Sequence, residues 1–220
     1  DAAEAAYRKS LEIETQMGNR AGQATSLNQL GILYDDCFNR PEEAVTFYRQ
    51  AADIAVEQSN LNSEGLRRNN IAKTLYKLQR YDEARGEIRR AIECGWAESW
   101  KSFNILHTIE TATGNPAAAR AAWQQARDAY LAYRQQGGYA QFGGGKLVEH
   151  VLGLLAQQQV DEVQALVNQL TSDPDIPASI QKLIQAMVAI LNGSRDPALA
   201  DDLALDYDHA AEVLFLIQRL

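Results

Sequence analysis

The sequence predicts an all-α chain, a right-handed α-solenoid of stacked helix pairs followed by a C-terminal helical cap. Three observations carry that expectation. Ala, Leu, Gln, Glu and Arg dominate the composition, and all are good helix formers. A pattern of small and large apolar residues returns every 35 to 41 residues. The pattern stops after Tyr133, where a glycine-rich stretch separates it from amphipathic segments of unrelated spacing.

The repeat is anchored on an Ala followed four residues later by an aromatic or large apolar residue. Ala3 and Tyr7, Ala44 and Tyr48, Ala84 and Ile88, and Ala119 and Trp123 fit, with Ser10, Ala51, Ala91 and Ala126 three residues further on. A second pattern precedes the last three pairs. It reads Leu27, Leu30, Gly31, Tyr34, then Arg68, Ile71, Ala72, Leu75, then Phe103, Leu106, His107, Glu110. These offsets fall on one helical face, where the small residue lets two helices approach and the large ones fill the space beside them. The chain therefore divides into repeats over 1–136 and a cap over 137–220. The repeats comprise an orphan second helix at 1–16 and units at about 20–58, 61–95 and 97–135. Three units is about the minimum for a stable stack, and the orphan helix suggests a piece of a longer protein.

Turn chemistry separates the two helices of a unit. Asn39-Arg40-Pro41 and Asn115-Pro116 place a proline at the helix start after a capping Asn, and Gly114 fits a helix stop. His107 and Glu110 stand where small and aromatic residues are usual, so the last unit should pack more loosely or in a specialised way. Gly137-Gly138 through Gly143-Gly144-Gly145 reads as a hinge. Helices are expected beyond it at 146–158, 160–171, 177–192 and 207–219, with a short one at 197–204. They would cover the end of the stack, whose last unit otherwise exposes the face meant for a neighbour.

Charge narrows the partner. Residues 1–136 carry 17 Lys+Arg against 18 Asp+Glu, and residues 137–220 carry 4 against 11. An acidic second half argues against nucleic acid, since phosphate affinity needs clustered cations. No apolar run reaches the roughly 18 residues of a membrane span. Cys37 and Cys94 make no disulfide framework and read as reduced, partly buried thiols, which points to the cytoplasm.

The spaced small and large residues over about 1–135 resemble the tetratricopeptide repeat (TPR). The linker Met17-Gly18-Asn19-Arg20-Ala21-Gly22 and the spacing near 40 look like the long-repeat subclass that includes kinesin light chains. The run from Gly193 through Ala200 and on from Leu205 to Glu212 resembles the C-terminal ends of large multidomain bacterial signalling proteins of the STAND type. So does the stretch holding Trp100, His107, Glu110, Thr113-Gly114-Asn115-Pro116 and Tyr133-Arg134. Those resemblances imply a sensor or scaffold role in protein–protein interaction, with the upstream domains of the same chain among the partners.

No catalytic site, cofactor or metal is expected. Gly143-Gly144-Gly145-Lys146 fails as a phosphate loop, because Ala140 and Leu147 hold the places of the required Gly and Ser/Thr. His107, His150 and His209 lack metal-ligand spacing. Asp196, Asp201, Asp202, Asp206 and Asp208 lack the alternating ligands and central Gly of a calcium loop and read as caps and solvated faces. Ser, Cys and His show no nucleophile arrangement, so the chain reads as a non-enzyme.

The constellation that points to binding is an amide ladder. Asn28, Asn69 and Asn104 each follow the first residue of the second pattern, about 100° around the helix from it. They should flank the exposed inner face of the first helices, with Asn70, Asp35, Lys73, Tyr76, Lys77 and Lys101 nearby. An Asn side chain both donates and accepts, so it can hold the backbone of an extended peptide without reading its sequence. Asp35 and Asp36 in one unit and Lys73, Lys77 and Lys101 in the next two predict a groove running from acidic to basic. The bland reading is that the amides bond their own neighbours. The expected function is a protein–protein interaction module gripping a peptide or partner segment in its concave groove. The alternative is structural self-association or intramolecular regulation.

Overall fold

The computed structural model describes residues 2–220, all in helices and turns, with no strand among them. The helices are α1 (Ala2–Gln16), α2 (Arg20–Ile32), α3 (Pro41–Glu57), α4 (Leu61–Lys77), α5 (Tyr81–Glu93), α6 (Ser99–Ala112) and α7 (Pro116–Gln135). They continue with α8 (Gly143–Ala156), α9 (Val160–Thr171), α10 (Ala178–Leu191) and α11 (Tyr207–Arg219). A π-helical turn, Leu33–Cys37, extends α2, and a 3-10 turn, Pro197–Ala200, precedes α11. Two compact units divide after Trp123, inside α7 and ahead of the 136/137 boundary drawn from the sequence.

In the first unit each helix packs on the next, from α1 through α6, and α4 also touches α6. This is an α-solenoid. Its core is the repeat pattern itself: Ala44, Ala51, Ala84, Ala91, Ile88, Leu30, Ala72 and Leu75 are fully buried. Small residues permit the approach, for a Cβ on Gly31 would come within 2.5 Å of the Tyr48 ring. Arg68 takes a position held elsewhere by Leu or Phe. Its guanidinium lies between Glu64 at 2.6 Å and Glu87 at 2.8 Å, so its stem fills the seam while its charge is met at the edge.

The turns repeat as faithfully as the helices. Gly18, Asn39, Ser59, Gln79, Gly95 and Gly114 take positive φ in the six successive turns from α1 to α7, the left-handed residue that ends a helix. In four of these turns the following N–H reaches five residues back: Asn19 to Glu14, Asn60 to Ala55, Arg80 to Leu75 and Asn115 to Glu110, at 2.8–3.0 Å. Asn39 therefore closes α2 rather than capping α3 as the sequence suggested. The side-chain caps are Asn19, accepting from Gly22 N, and Asn60, accepting from Ser63 N. The amide of Asn115 instead donates to Glu110 and Thr113.

The π-helical turn has a countable cause. Ala44 lies thirteen positions after Gly31, whereas Ala84 lies twelve after Ala72 and Ala119 twelve after His107. The first unit must absorb one extra residue, and a single wide turn does so without shifting either packing face. That turn carries Asp35 and Asp36.

In the second unit α8 packs on α9, α9 on α10 and α10 on α11, while α8 and the 3-10 turn also pack on α11. The glycine triple is not a hinge: Gly143 opens α8, and Gly144 and Gly145 are buried. A Cβ on Gly144 would overlap the His209 ring, and one on Gly145 would meet Glu212 Oε1 at 2.6 Å. Close packing overrides the poor helix propensity of glycine. Buried Arg134 pairs with Glu212 and Glu149 at 2.8 Å each and lies over the Phe215 ring at 4.7 Å.

Candidate functional site

The first helices of the three units, α2, α4 and α6, meet along one seam. Here the predicted ladder is buried rather than displayed. Asn28 and Asn69 are 7% and 6% exposed. Asn28 Oδ1 accepts from Asn70 Nδ2 at 3.0 Å, and Asn69 Oδ1 accepts from Ser102 Oγ at 3.1 Å, which itself accepts from Trp96 Nε1 at 2.9 Å. Two of the three Asn residues that looked like a peptide grip thus join one unit to the next. A buried amide must find a partner, and the neighbouring first helix lies within reach. Asn104 is half-buried, and its side-chain amide has no hydrogen-bond partner among the described residues.

The expected charge gradient is also replaced. The π-helical turn brings Asp35 beneath α4, where its Oδ2 accepts from Thr74 Oγ1 at 3.2 Å and from Lys77 Nζ at 2.8 Å. Asp36 lies 3.4 Å from the same ammonium. Partial burial works against the Lys77 charge, but the two carboxylates outweigh it and raise its pKa. Asp35 is buried rather than offered to a ligand. Lys101 pairs with Glu98 at 2.8 Å. Tyr76 is half-buried, its ring 5.7 Å from that of Tyr81 on α5. The hydroxyls of Thr25, Thr108 and Thr111 donate to carbonyls one turn back in their own helices, at 2.8–3.0 Å.

What remains displayed is compact. A cavity of about 160 Å³ opens between α2 and α4, lined by Ile32, Asp35, Asp36, Tyr48, Asn70, Lys73 and Thr74. Burial, and then the nearby Asp35 and Asp36, push the Tyr48 hydroxyl above its ordinary pKa, so it stays a neutral donor. Lys73 is exposed and has no carboxylate partner among the described residues. The Asn28–Asn70 bond uses one oxygen and one NH2 group, leaving Asn70 Oδ1 and Asn28 Nδ2 for other partners. The cavity therefore offers a donor, an acceptor and a cation, beside the two carboxylates that Lys77 meets.

The departures in the third unit prove specialised. Glu110, 4% exposed, receives Arg85 Nε at 2.7 Å and Asn115 Nδ2 at 2.9 Å. Arg85 holds the Glu110 carboxyl below its ordinary pKa against the opposing effect of burial. His107 Nδ1 lies 2.9 Å from Ala119 O, tying α6 to α7. Of the two thiols, Cys37 is exposed rather than partly buried, and Cys94 is half-buried. No described helix is long and apolar enough to cross a membrane. Among the described residues, three close metal-ligating side chains occur together only at 206–209, in the second unit.

Comparison with known proteins agrees with the repeat frame. One tetratricopeptide-repeat family model matches residues 1–55, and a second matches residues 66–95. The crystal structure of BtubC (BKLC) from P. vanneervenii is similar at a TM-score of 0.58 and 20% identity, over 80% of this chain and 76% of that one. At that identity the likeness is one of fold. No curated protein matches the sequence. Repeats of this family act in protein–protein interaction. With small residues buried at the crossings of the first two units and the left-handed residue in every turn of the stack, the matches identify residues 1–55 and 66–95 as tetratricopeptide repeats.

Proposed function

We propose that this protein is a recognition module that holds an extended peptide or partner segment along the face formed by α2, α4 and α6. It would serve as the scaffold part of a larger cytoplasmic protein. The observation that carries this reading is the cavity between α2 and α4. Its volume suits one side chain, and Lys73 at its edge is a cation without a counter-charge. The free oxygen of the Asn70 amide, which lines the cavity, would bond the ligand backbone, with Asn104 continuing the contact in the next unit. A partner carrying an acidic residue that reaches Lys73 fits this arrangement, because Lys77 and Lys101 are already neutralised.

Selection of peptides from a random library on the intact chain tests the proposal. Selected peptides should be rich in Asp or Glu. Lys73→Glu should weaken their binding at least tenfold in a salt-sensitive way. Asn70→Ala should weaken it by a smaller factor that is insensitive to salt. Unchanged affinity in both variants would place the partner elsewhere and sink this reading. Light scattering at several concentrations separates it from self-association, which would give a mass rising with concentration.

A further inference from the structure

We propose that Asp206, Asp208 and His209, at the start of α11, form a binding site for a first-row divalent metal ion, with Zn²⁺ as the best fit. One ligand atom from each of the three lies within 4.8 Å of the other two. His209 Nδ1 is 3.6 Å from Asp206 Oδ2, and its Nε2 is 3.8 Å from Asp208 Oδ2. Both separations are too long for a hydrogen bond. One ion can take only one ring nitrogen, and Nδ1, which faces Asp206, is the one without a partner. Two ligands each about 2.1 Å from one ion sit roughly 3.0–3.4 Å apart, so ligand atoms lying within 4.8 Å of one another would have to close by on the order of 1 Å to seat the metal.

The independent observation is the state of the histidine. His209 is 5% exposed, and its Nδ1 has no hydrogen-bond partner. A buried polar atom left without a partner is costly, and this one is aimed at a carboxylate it does not reach. The ring is backed by Gly144, where any side chain would overlap it. That contact fixes the ring's direction, as a metal-ligating imidazole requires.

Charge points the same way. Nearby carboxylates have cations: Asp201 pairs with Arg127 at 2.7 Å and Asp202 with Lys182 at 3.2 Å. Asp206 and Asp208 have no Lys or Arg partner among the described residues, although Asp208 is 7% exposed. Buried carboxylates are normally paired or bound to metal. Asp206 makes no side-chain capping bond to α11 and is exposed, so it leaves an open side for entry and for water ligands. One imidazole with two carboxylates suits Zn²⁺ or Mn²⁺ better than Ca²⁺ or Mg²⁺, which prefer oxygen alone. Such an ion would tie the 201–206 loop to α11.

The test is calorimetric titration of the EDTA-treated, dialysed full chain with ZnCl₂, paired with melting curves. One Zn²⁺ per chain should bind and raise the melting temperature of the second unit. His209→Gln and Asp206→Asn should each weaken binding at least tenfold and abolish the shift, while His150→Gln, an exposed histidine on α8, should leave both unchanged. Should His209→Gln fail to fold, Asp206→Asn at an exposed position carries the test. Absence of a stoichiometric site would overturn the proposal. So would binding that Asp206→Asn leaves intact.

Discussion

Asn70 donates to Asn28 across 3.0 Å, so the amide–amide hydrogen bond between the first two units runs to the residue beside the one their alignment pairs. The aligned Asn69 faces the other way along the stack, to Ser102. Successive first helices are thus linked by an amide that bonds forward and a neighbour that bonds back.

The two amides should differ on replacement. Asn70→Ala removes a half-buried bond and should cost about 0.5–1.5 kcal/mol. Asn69→Ala removes the acceptor from a buried Trp96–Ser102–Asn69 chain and strands the Ser102 hydroxyl, so it should cost about 1–3 kcal/mol. Urea unfolding of both variants checks the order. Equal costs would mean the Ser102 hydroxyl finds another acceptor.

How far this was legible follows from what each residue depends on. Ala84 and Ile88 were readable as core because burial there follows helical period alone. The roles of Asn28 and Asn69 were not, since the same offset serves an exposed groove or a seam, and the angle between neighbouring first helices decides which. The π-helical turn was countable from the thirteen-position step from Gly31 to Ala44, yet its consequence, Asp35 neutralising Lys77, needed coordinates. Arg85 and Glu110 lie 25 residues apart, and no periodicity links them. At 206–209 the carboxylates were visible, but the proximity of His209 to Gly144 arises only when α8 meets α11.

Two glycines in helix interiors should respond in opposite directions. Gly31→Ala drives a methyl into the Tyr48 ring and should destabilise by about 1–3 kcal/mol. A Cβ on Gly86 would meet nothing within 4 Å. Gly86→Ala should therefore stabilise by about 0.5–1 kcal/mol through helix propensity. Thermal melts of the pair test whether Gly31 is present for space and Gly86 is not.

Arg67 is a buried cation without a carboxylate partner among the described residues. It is 8% exposed, its one hydrogen bond runs to Ser63 O at 3.4 Å, and its Nε has none. Burial lowers its pKa. Replacing an uncompensated buried charge by an apolar side chain of similar length removes a desolvation cost. Arg67→Met should leave stability unchanged or raise it by about 1 kcal/mol in denaturant titration. A loss above about 1 kcal/mol would assign the guanidinium a partner that matters to the fold.

Two buried glutamates should shape the pH dependence with opposite signs. Glu110 has its pKa held down by Arg85, so the folded state binds fewer protons there than the unfolded chain. Its contribution is complete above the ordinary carboxylate pKa of 4.5 and is lost as pH falls toward and through the folded value. Glu212, with no exposed surface, has its pKa raised by burial to about 7, an effect that Arg134 only partly offsets. Here the folded state binds the extra proton between pH 4.5 and about 7, so stability falls as pH rises through that window, by on the order of 3 kcal/mol at most. In metal-free buffer, the wild-type chain should therefore be most stable near about pH 5. Glu212→Gln should flatten the decline between about pH 5 and 7 while keeping the acid limb. Glu110→Gln should lower stability at neutral pH and converge with wild type in acid. Stability measured by denaturant at half-unit pH steps decides it. Parallel curves for wild type and Glu212→Gln across that window would mean that Arg134 keeps Glu212 ionised throughout.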